Sequence, residues 1–277
     1  MASRLPDTRA IPTDLLWNLT LRELRSRFKR STLGWLWSVI NPLASIAIYA
    51  LVFGVFLKVE PPVGDPSGLH VYGFFLVCGL LPWTYLTNSL NGAAASIVVN
   101  EGLVKKVYFP RSVLPTASTL AWLAGFGVEL AVLGIVLLIA GNMVLPWIPV
   151  VVVLMVLETG FVLGLGLFLS AANAYFRDVQ HFLAILLNIW FYATPILYPA
   201  EQIPKDIEVL GVTIPIRELL LNLNPMAVFV DAYRAVLYDL TWPTLNQWAA
   251  MLAISAVTLA LGAAAFRRLE PRLAEEL

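Results

Sequence analysis

Long uncharged apolar runs alternate along this chain with short stretches that gather the basic residues. The first run, Leu33 to Leu57, reaches about 37 Å at about 1.5 Å per helical residue, enough to cross a hydrocarbon core of roughly 30 Å with some tilt. Five more follow, at 71–90, 113–140, 147–171, 182–198 and 245–266. Ahead of them, residues 13–31 repeat Leu21, Leu24 and Phe28 at helical spacing, with Arg22, Arg25, Arg27, Lys29 and Arg30 on the other face. That stretch predicts an amphipathic helix along the headgroup surface. Residues 199–244 mix charges with apolar pieces too short to cross, Leu219 to Leu223 and Met226 to Val230, broken at Asn224-Pro225. They predict two outer re-entrant helices covered by protein. The rival is a seventh span from Leu219 to Leu240, which would place Arg267, Arg268 and Arg272 outside against the charge rule. The pattern thus predicts an all-α integral membrane protein with six transmembrane helices, an N-terminal interfacial helix and re-entrant helices between spans five and six, in one domain over 1–277.

Composition agrees: 59% hydrophobic and 13% charged residues, with a mean hydropathy of +0.79, exclude an ordinary soluble domain. The net charge of zero hides an asymmetry. With the amino terminus inside, the outer segments hold only Lys58, Lys205, Arg217 and Arg234 of the 18 basic residues. This is the positive-inside distribution, and it places both termini in the cytoplasm. No apolar signal region precedes Leu33, so the first span is expected to anchor the chain. Cys78 is the single cysteine, and His70 and His181 are isolated, so neither an intrachain disulfide nor a metal site is expected.

Two cytoplasmic loops carry specific features. Asn100 to Pro115 reads as a short charged helix ended by Pro110 and Pro115. Ala174 to Val179 is a tight turn in which Tyr175, Phe176 and Arg177 suit an interface, since aromatic and Arg side chains make good anchors. The plainer reading is that the basic residues set topology and the aromatics belong to the interfacial belt. No Gly-x-x-x-x-Gly-Lys-Ser/Thr loop is present, so the chain lacks that means of cradling ATP.

Taken in order, these segments resemble the permease subunit of ABC-2 type exporters, within the branch that exports O-antigen, teichoic acid and galactan polysaccharides. The resemblance rests on Arg22-Glu23-Leu24 to Lys29-Arg30, Leu33-Gly34-Trp35-Leu36-Trp37 with Asn41-Pro42, and Phe109-Pro110-Arg111. Tyr175-Phe176-Arg177-Asp178-Val179, Thr194-Pro195-Ile196-Leu197-Tyr198 and Leu223-Asn224-Pro225 complete it. It implies a homodimer in the bacterial plasma membrane that exports a lipid-linked glycan, with ATP and Mg bound by two separate ABC ATPase subunits and no cofactor or nucleic acid in this chain. It further implies that Arg22, Arg25, Arg27, Glu101, Lys105, Tyr108, Phe109, Arg111, Tyr175, Phe176, Arg177 and Asp178 face the ATPase, and that Asn224 and Pro225 belong to an outer gate. A drug exporter of the same superfamily, a proton-coupled transporter and a membrane enzyme are the alternatives; the last lacks any clustered His, Cys or acid constellation.

A glycan path needs aromatic faces for the C–H faces of sugar rings and amides for their hydroxyls, without fixed charge. Tyr49, Phe53, Tyr85, Trp190, Tyr192 and Tyr198 are the candidate channel residues, with Asn41, Asn88 or Asn188 as polar partners; the interfacial belt is the competing explanation. Two intramembrane acids, Glu129 and Glu158, allow two readings. Proton coupling is one; a hydrogen bond to a neighbouring helix, near Asn173 or Asn188, is the favoured other. Gly160-x-x-x-Gly164 fits close helix packing and need not be a dimer motif.

Overall fold

The computed structural model describes residues 13–28, 33–60, 62–199, 202–209, 212–273 and 276. The end of the expected interfacial helix, with Lys29 and Arg30, lies outside them. α1 (Thr13–Phe28) opens with Asp14 in its first turn and closes with Arg25 and Arg27, charges that complement the helix dipole. α2 (Trp37–Tyr49) runs on as a π-helical stretch, Ala50–Phe56. α3 (Tyr72–Val99), α4 (Glu101–Lys106), α5 (Val113–Ile139), α6 (Ile148–Tyr175) and α7 (Val179–Ala193) follow. A small antiparallel hairpin, β1 (Ile207–Val209) and β2 (Val212–Ile214), sets Glu208 opposite Thr213. It leads into α8 (Ile216–Leu223), α9 (Pro225–Arg234), a π-helical turn at Ala235–Asp239 and α10 (Leu245–Leu269).

Among the described residues, four stretches are long and apolar enough to cross a membrane: Trp37–Phe56, Val113–Ile139, Leu145–Tyr175 and Leu245–Arg272. They fall on the first, third, fourth and sixth expected spans. The second corresponds to α3, 28 residues without a charge but with Thr84, Thr87, Asn88 and Asn91 in its middle, which keeps it out of that group. The fifth corresponds to α7, whose 15 residues make about 22 Å of helix. α7 ends at Ala193, just ahead of Thr194-Pro195, because proline disfavours helix at the residue before it.

α3 is the axis of the bundle. α2, α5, α6, α7 and α9 all pack on it, and Leu76, Val77, Cys78, Leu86, Ala93 and Ile97 lose all exposure. The main core joins α3 to Phe126, Phe161 and Phe229 from α5, α6 and α9. A second cluster holds Leu19 of α1, Val104 of α4, Ala171 of α6 and Phe266 of α10, and so gathers α1, α4 and the ends of α6 and α10 at one end of the molecule, here termed the basic end.

α6 and α10 are the most intimate pair. A Cβ on Gly164 would strike the backbone of Thr258 and Leu259, and one on Gly262 would strike the Gly164 carbonyl. Ser255 bridges the same seam by donating to the Leu157 carbonyl at 2.6 Å. Gly160 and Gly164 thus serve helix packing within the chain, where small residues let backbones approach. Gly164→Leu is expected to cost at least about 2 kcal/mol by forcing the two helices apart, seen as a fall in the thermal midpoint of the detergent-purified protein. Gly54→Ala, where no described residue lies within 4 Å of the added methyl group, should not lower that midpoint.

Candidate functional site

At the basic end the predicted contact residues divide by what they touch. Arg111 donates its backbone N–H to Glu270 Oε1 at 2.8 Å and its guanidinium to the Glu270 carbonyl. Tyr175 donates to the Leu269 carbonyl at 3.1 Å, and Phe109 packs against the second cluster. These side chains fasten both loops to the end of α10. Arg27 is turned inward as well: its guanidinium lies 3.4 Å from the centre of the Trp122 ring and donates to the Ala121 carbonyl at 3.2 Å. Burial lowers its pKa to about 10, with Glu23 opposing the shift, so it stays charged at neutral pH.

The remaining residues project outward. Tyr108 is 84% exposed and Phe176 71%, large apolar surfaces left open beside exposed Arg177 and Asp178. Glu101 and Lys105 form an ion pair at 2.6 Å. Hydrogen bonding to Lys105 holds the Glu101 carboxyl below its usual range, and the charges of Lys105 and Arg177 add to the effect. Arg22 reaches Asn100 Oδ1 at 2.6 Å, while Arg25 is exposed. The loops and α1 thus display exposed aromatic and mixed charged side chains at the basic end, a set here called the ridge, of the kind that anchors a protein partner.

Above it, a recess of about 350 Å³ opens between α1, α2, α3 and α5. Aromatic walls come from Trp37, Tyr85, Trp122 and Phe126, amides from Asn41 and Asn88, and charged groups from Arg27 and Glu129. Tyr85 and Phe126 stack face to face, 4.8 Å apart and 3° from parallel, and the Tyr85 hydroxyl meets Thr159 Oγ1 at 3.0 Å. Of the candidate channel residues, only Tyr85 lines this recess. Tyr49 and Phe53 belong to an aromatic ladder in which Phe53 stacks on Tyr72 at 4.9 Å. Trp190 meets Trp83 edge-on, Tyr192 is exposed, and Tyr198 donates to the Tyr192 carbonyl at 2.7 Å.

The opposite end is knotted by two side chains. Asn224 caps α9 by accepting from the Met226 and Ala227 N–H groups, with Pro225 at the first helical position. The same amide accepts from Trp190 Nε1 at 2.7 Å and donates to Ala193 O and Thr194 Oγ1, so it ties α9 to the end of α7. Arg234, read from the sequence as an outer charge, is buried: it lies 3.8 Å from the centre of the Phe75 ring and donates to the Phe75, Pro195 and Ile196 carbonyls.

The two intramembrane acids separate. Glu129 faces the recess. Glu158 is fully buried and accepts from the Tyr233 hydroxyl at 2.9 Å. The expected partners are elsewhere, because Asn173 lies about 22 Å further along the same helix. It donates to the Ala94 carbonyl, and Asn188 is exposed. The residues that sequence reasoning missed are Trp122, Phe126 and Tyr233. Trp122, Phe126 and Glu129 form an i, i+4, i+7 stripe on α5, a signal that was open to reading.

Comparison with known proteins places these features in a family. The ABC-2 type transporter family matches residues 14–238. The O-antigen export system permease protein RfbA of Myxococcus xanthus is 32% identical over 263 residues, 95% of each chain. Its namesake in Klebsiella pneumoniae is 30% identical over 267 residues, again 95% of each. The polysialic acid transport protein KpsM of Escherichia coli is 29% identical over 201 residues, 68% of this chain and 71% of that protein. A match across most of the chain, together with a relative at this identity over nearly its whole length, shows that the chain belongs to the ABC-2 type transporter family.

Proposed function

We propose that this chain is the permease subunit of an exporter that carries lipid-linked polysaccharide across the bacterial plasma membrane. The end-to-end similarity to O-antigen export permeases carries this reading. Six spans cross the membrane, with α3 and α7 completing the four apolar stretches, and both termini are cytoplasmic. α8 and α9 form the re-entrant pair at the outer face, and the Asn224-Pro225 junction gates release there. Two copies assemble with two copies of a separate ABC ATPase, which binds ATP and Mg; the permease itself supplies no catalytic group.

The ridge at the basic end is the ATPase-docking surface. Tyr108 and Phe176 supply the apolar anchors, and Glu101, Lys105, Arg177 and Asp178 supply charge complementarity and register. Arg111, Tyr175 and Phe109 pass force from those loops into α10 through their contacts with its end. The recess holds sugar rings as they enter: its aromatic walls offer stacking faces, Asn41, Asn88 and Glu129 offer hydroxyl partners, and the charge of Arg27, which departs from the uncharged lining expected, is taken up by Trp122 and the Ala121 carbonyl.

The test of the whole reading is a reconstituted complex in sealed vesicles. The chain alone should hydrolyse no ATP, and the purified complex should contain two permeases and two ATPases and move lipid-linked glycan only with ATP. Nucleotide hydrolysis by the permease alone, or export that requires a proton gradient and not ATP, would overturn it.

At the ridge, Tyr108→Ala combined with Phe176→Ala should weaken co-purification of the ATPase by about 2 kcal/mol or more, the size of an interface hot spot. Thermal stability should hold, since both side chains are exposed. Retention of the ATPase at wild-type stoichiometry and affinity would remove the ridge from the interface. In the recess, Asn88→Ala and Trp37→Ala should lower export about tenfold, as expected from lost polar and stacking contacts, with ATP hydrolysis preserved. Unchanged export by both would exclude the recess from the glycan path.

A further inference from the structure

α9 is held at three points. Asn224 ties its start to the end of α7, and Arg234 ties its finish to α3 and to the Pro195 and Ile196 carbonyls. Tyr233 reaches a different helix, α6. Its hydroxyl donates to Glu158 Oε2 at 2.9 Å, and both residues are completely buried. The second carboxyl oxygen, Oε1, has no hydrogen-bond partner among the described residues. An aliphatic side chain would fill this part of α6 without the cost of burying a carboxyl group in a membrane, where such groups are functional by default.

α6 is one uninterrupted helix from Ile148 to Tyr175. About 26 Å of it separates Glu158 from Tyr175, the residue that precedes exposed Phe176 and Arg177. At Gly164 and Gly262 its backbone lies against that of α10, so the two helices are closely packed there. A displacement of the Phe176 loop therefore reaches Glu158 as movement of a rigid rod. The Glu158–Tyr233 pair also backs the recess, because Phe126, stacked on Tyr85, meets the Tyr233 ring edge-on at 5.9 Å.

We propose that Glu158 is a positioning residue for transport, which passes movement of α6 to α9 through its bond to Tyr233 and so makes the far end follow events at the basic end. The inference rests on the reading of the basic end as the ATPase-docking surface. It makes Glu158 a mechanical contact rather than a proton carrier.

The experiment uses the complete permease–ATPase complex in vesicles and has two readouts: glycan exported per ATP hydrolysed, and the labelling rate of a Leu223→Cys variant by an impermeant thiol reagent with and without ATP. Leu223, the last residue of α8, is 72% exposed, whereas the native Cys78 is buried. In the otherwise unchanged complex, ATP should alter that labelling rate. Tyr233→Phe keeps the ring and removes the hydroxyl; it should leave assembly and hydrolysis intact, lower export per ATP by about three- to twentyfold, the range of a single hydrogen bond between membrane helices, and make labelling independent of ATP. Glu158→Leu should match it, Glu158→Gln should restore coupling by keeping a carbonyl acceptor, and the Glu158→Leu, Tyr233→Phe double variant should be no worse than either alone.

Wild-type coupling and ATP-dependent labelling in Tyr233→Phe would overturn the proposal. So would a Glu158→Gln variant as defective as Glu158→Leu, which would point to the ionisable group itself. A parent complex without ATP-driven export would instead refute the exporter reading.

Discussion

Wherever a helix breaks inside an apolar medium, the carbonyls it frees need donors, and this need organises the far end of the molecule. Arg234 serves two of them past the end of α7, the Pro195 and Ile196 carbonyls, and with the same guanidinium also reaches the Phe75 carbonyl of α3. Asn142 donates to the Leu237 carbonyl beside the π-helical turn, and Tyr238 donates to Pro62 and Leu69. Asn224 closes the α8–α9 break from both sides. Short helices with a proline at the junction survive there because buried side chains take over the work of the missing backbone bonds.

The basic end follows a different logic. Its backbone is mostly helical and self-satisfied, so its polar side chains are free for other uses, some for bracing and some for display. Arg111 and Tyr175 fold back onto the end of α10, while Phe176 and Tyr108, next to them in sequence or nearly so, stand in the open. Neighbouring residues thus split between holding the loops and presenting them. A surface built this way stays in register when a partner pushes on it.

Much of this was legible in the sequence, because uncharged length and basic clustering are strong signals in a membrane chain. The break at Asn224-Pro225 and the short α4 before Pro110 were read from proline alone. The hairpin at 207–214 has a sequence signal of its own, Ile207, Val209, Val212 and Ile214 around a glycine with near-alternating period, which the spanning length of apolar runs does not reveal. The partner of Glu158 was out of reach for another reason. Tyr233 lies 75 positions away in a segment set apart from the spans, and no local pattern links the two. Aromatic candidates were found by type, but type does not say which rings stack on one another and which line a cavity. Tyr85 lies on a wall, and Phe53 belongs to a ladder.

The clasp of Arg27 on Trp122 also bears on how α1 responds to its surroundings. A guanidinium seated on an indole and on carbonyl oxygens forms no ion pair among the described residues, although the charge of Glu23, one turn away, acts on it. Salt that weakens the outward-facing charges of the same helix therefore leaves its grip on α5 largely intact. Lysine would keep the charge and lose the planar fit, so arginine at this position is a shape requirement as much as an electrical one. The helix that gathers basic charge at one end of the molecule is secured to the bundle by a contact that ionic strength scarcely touches.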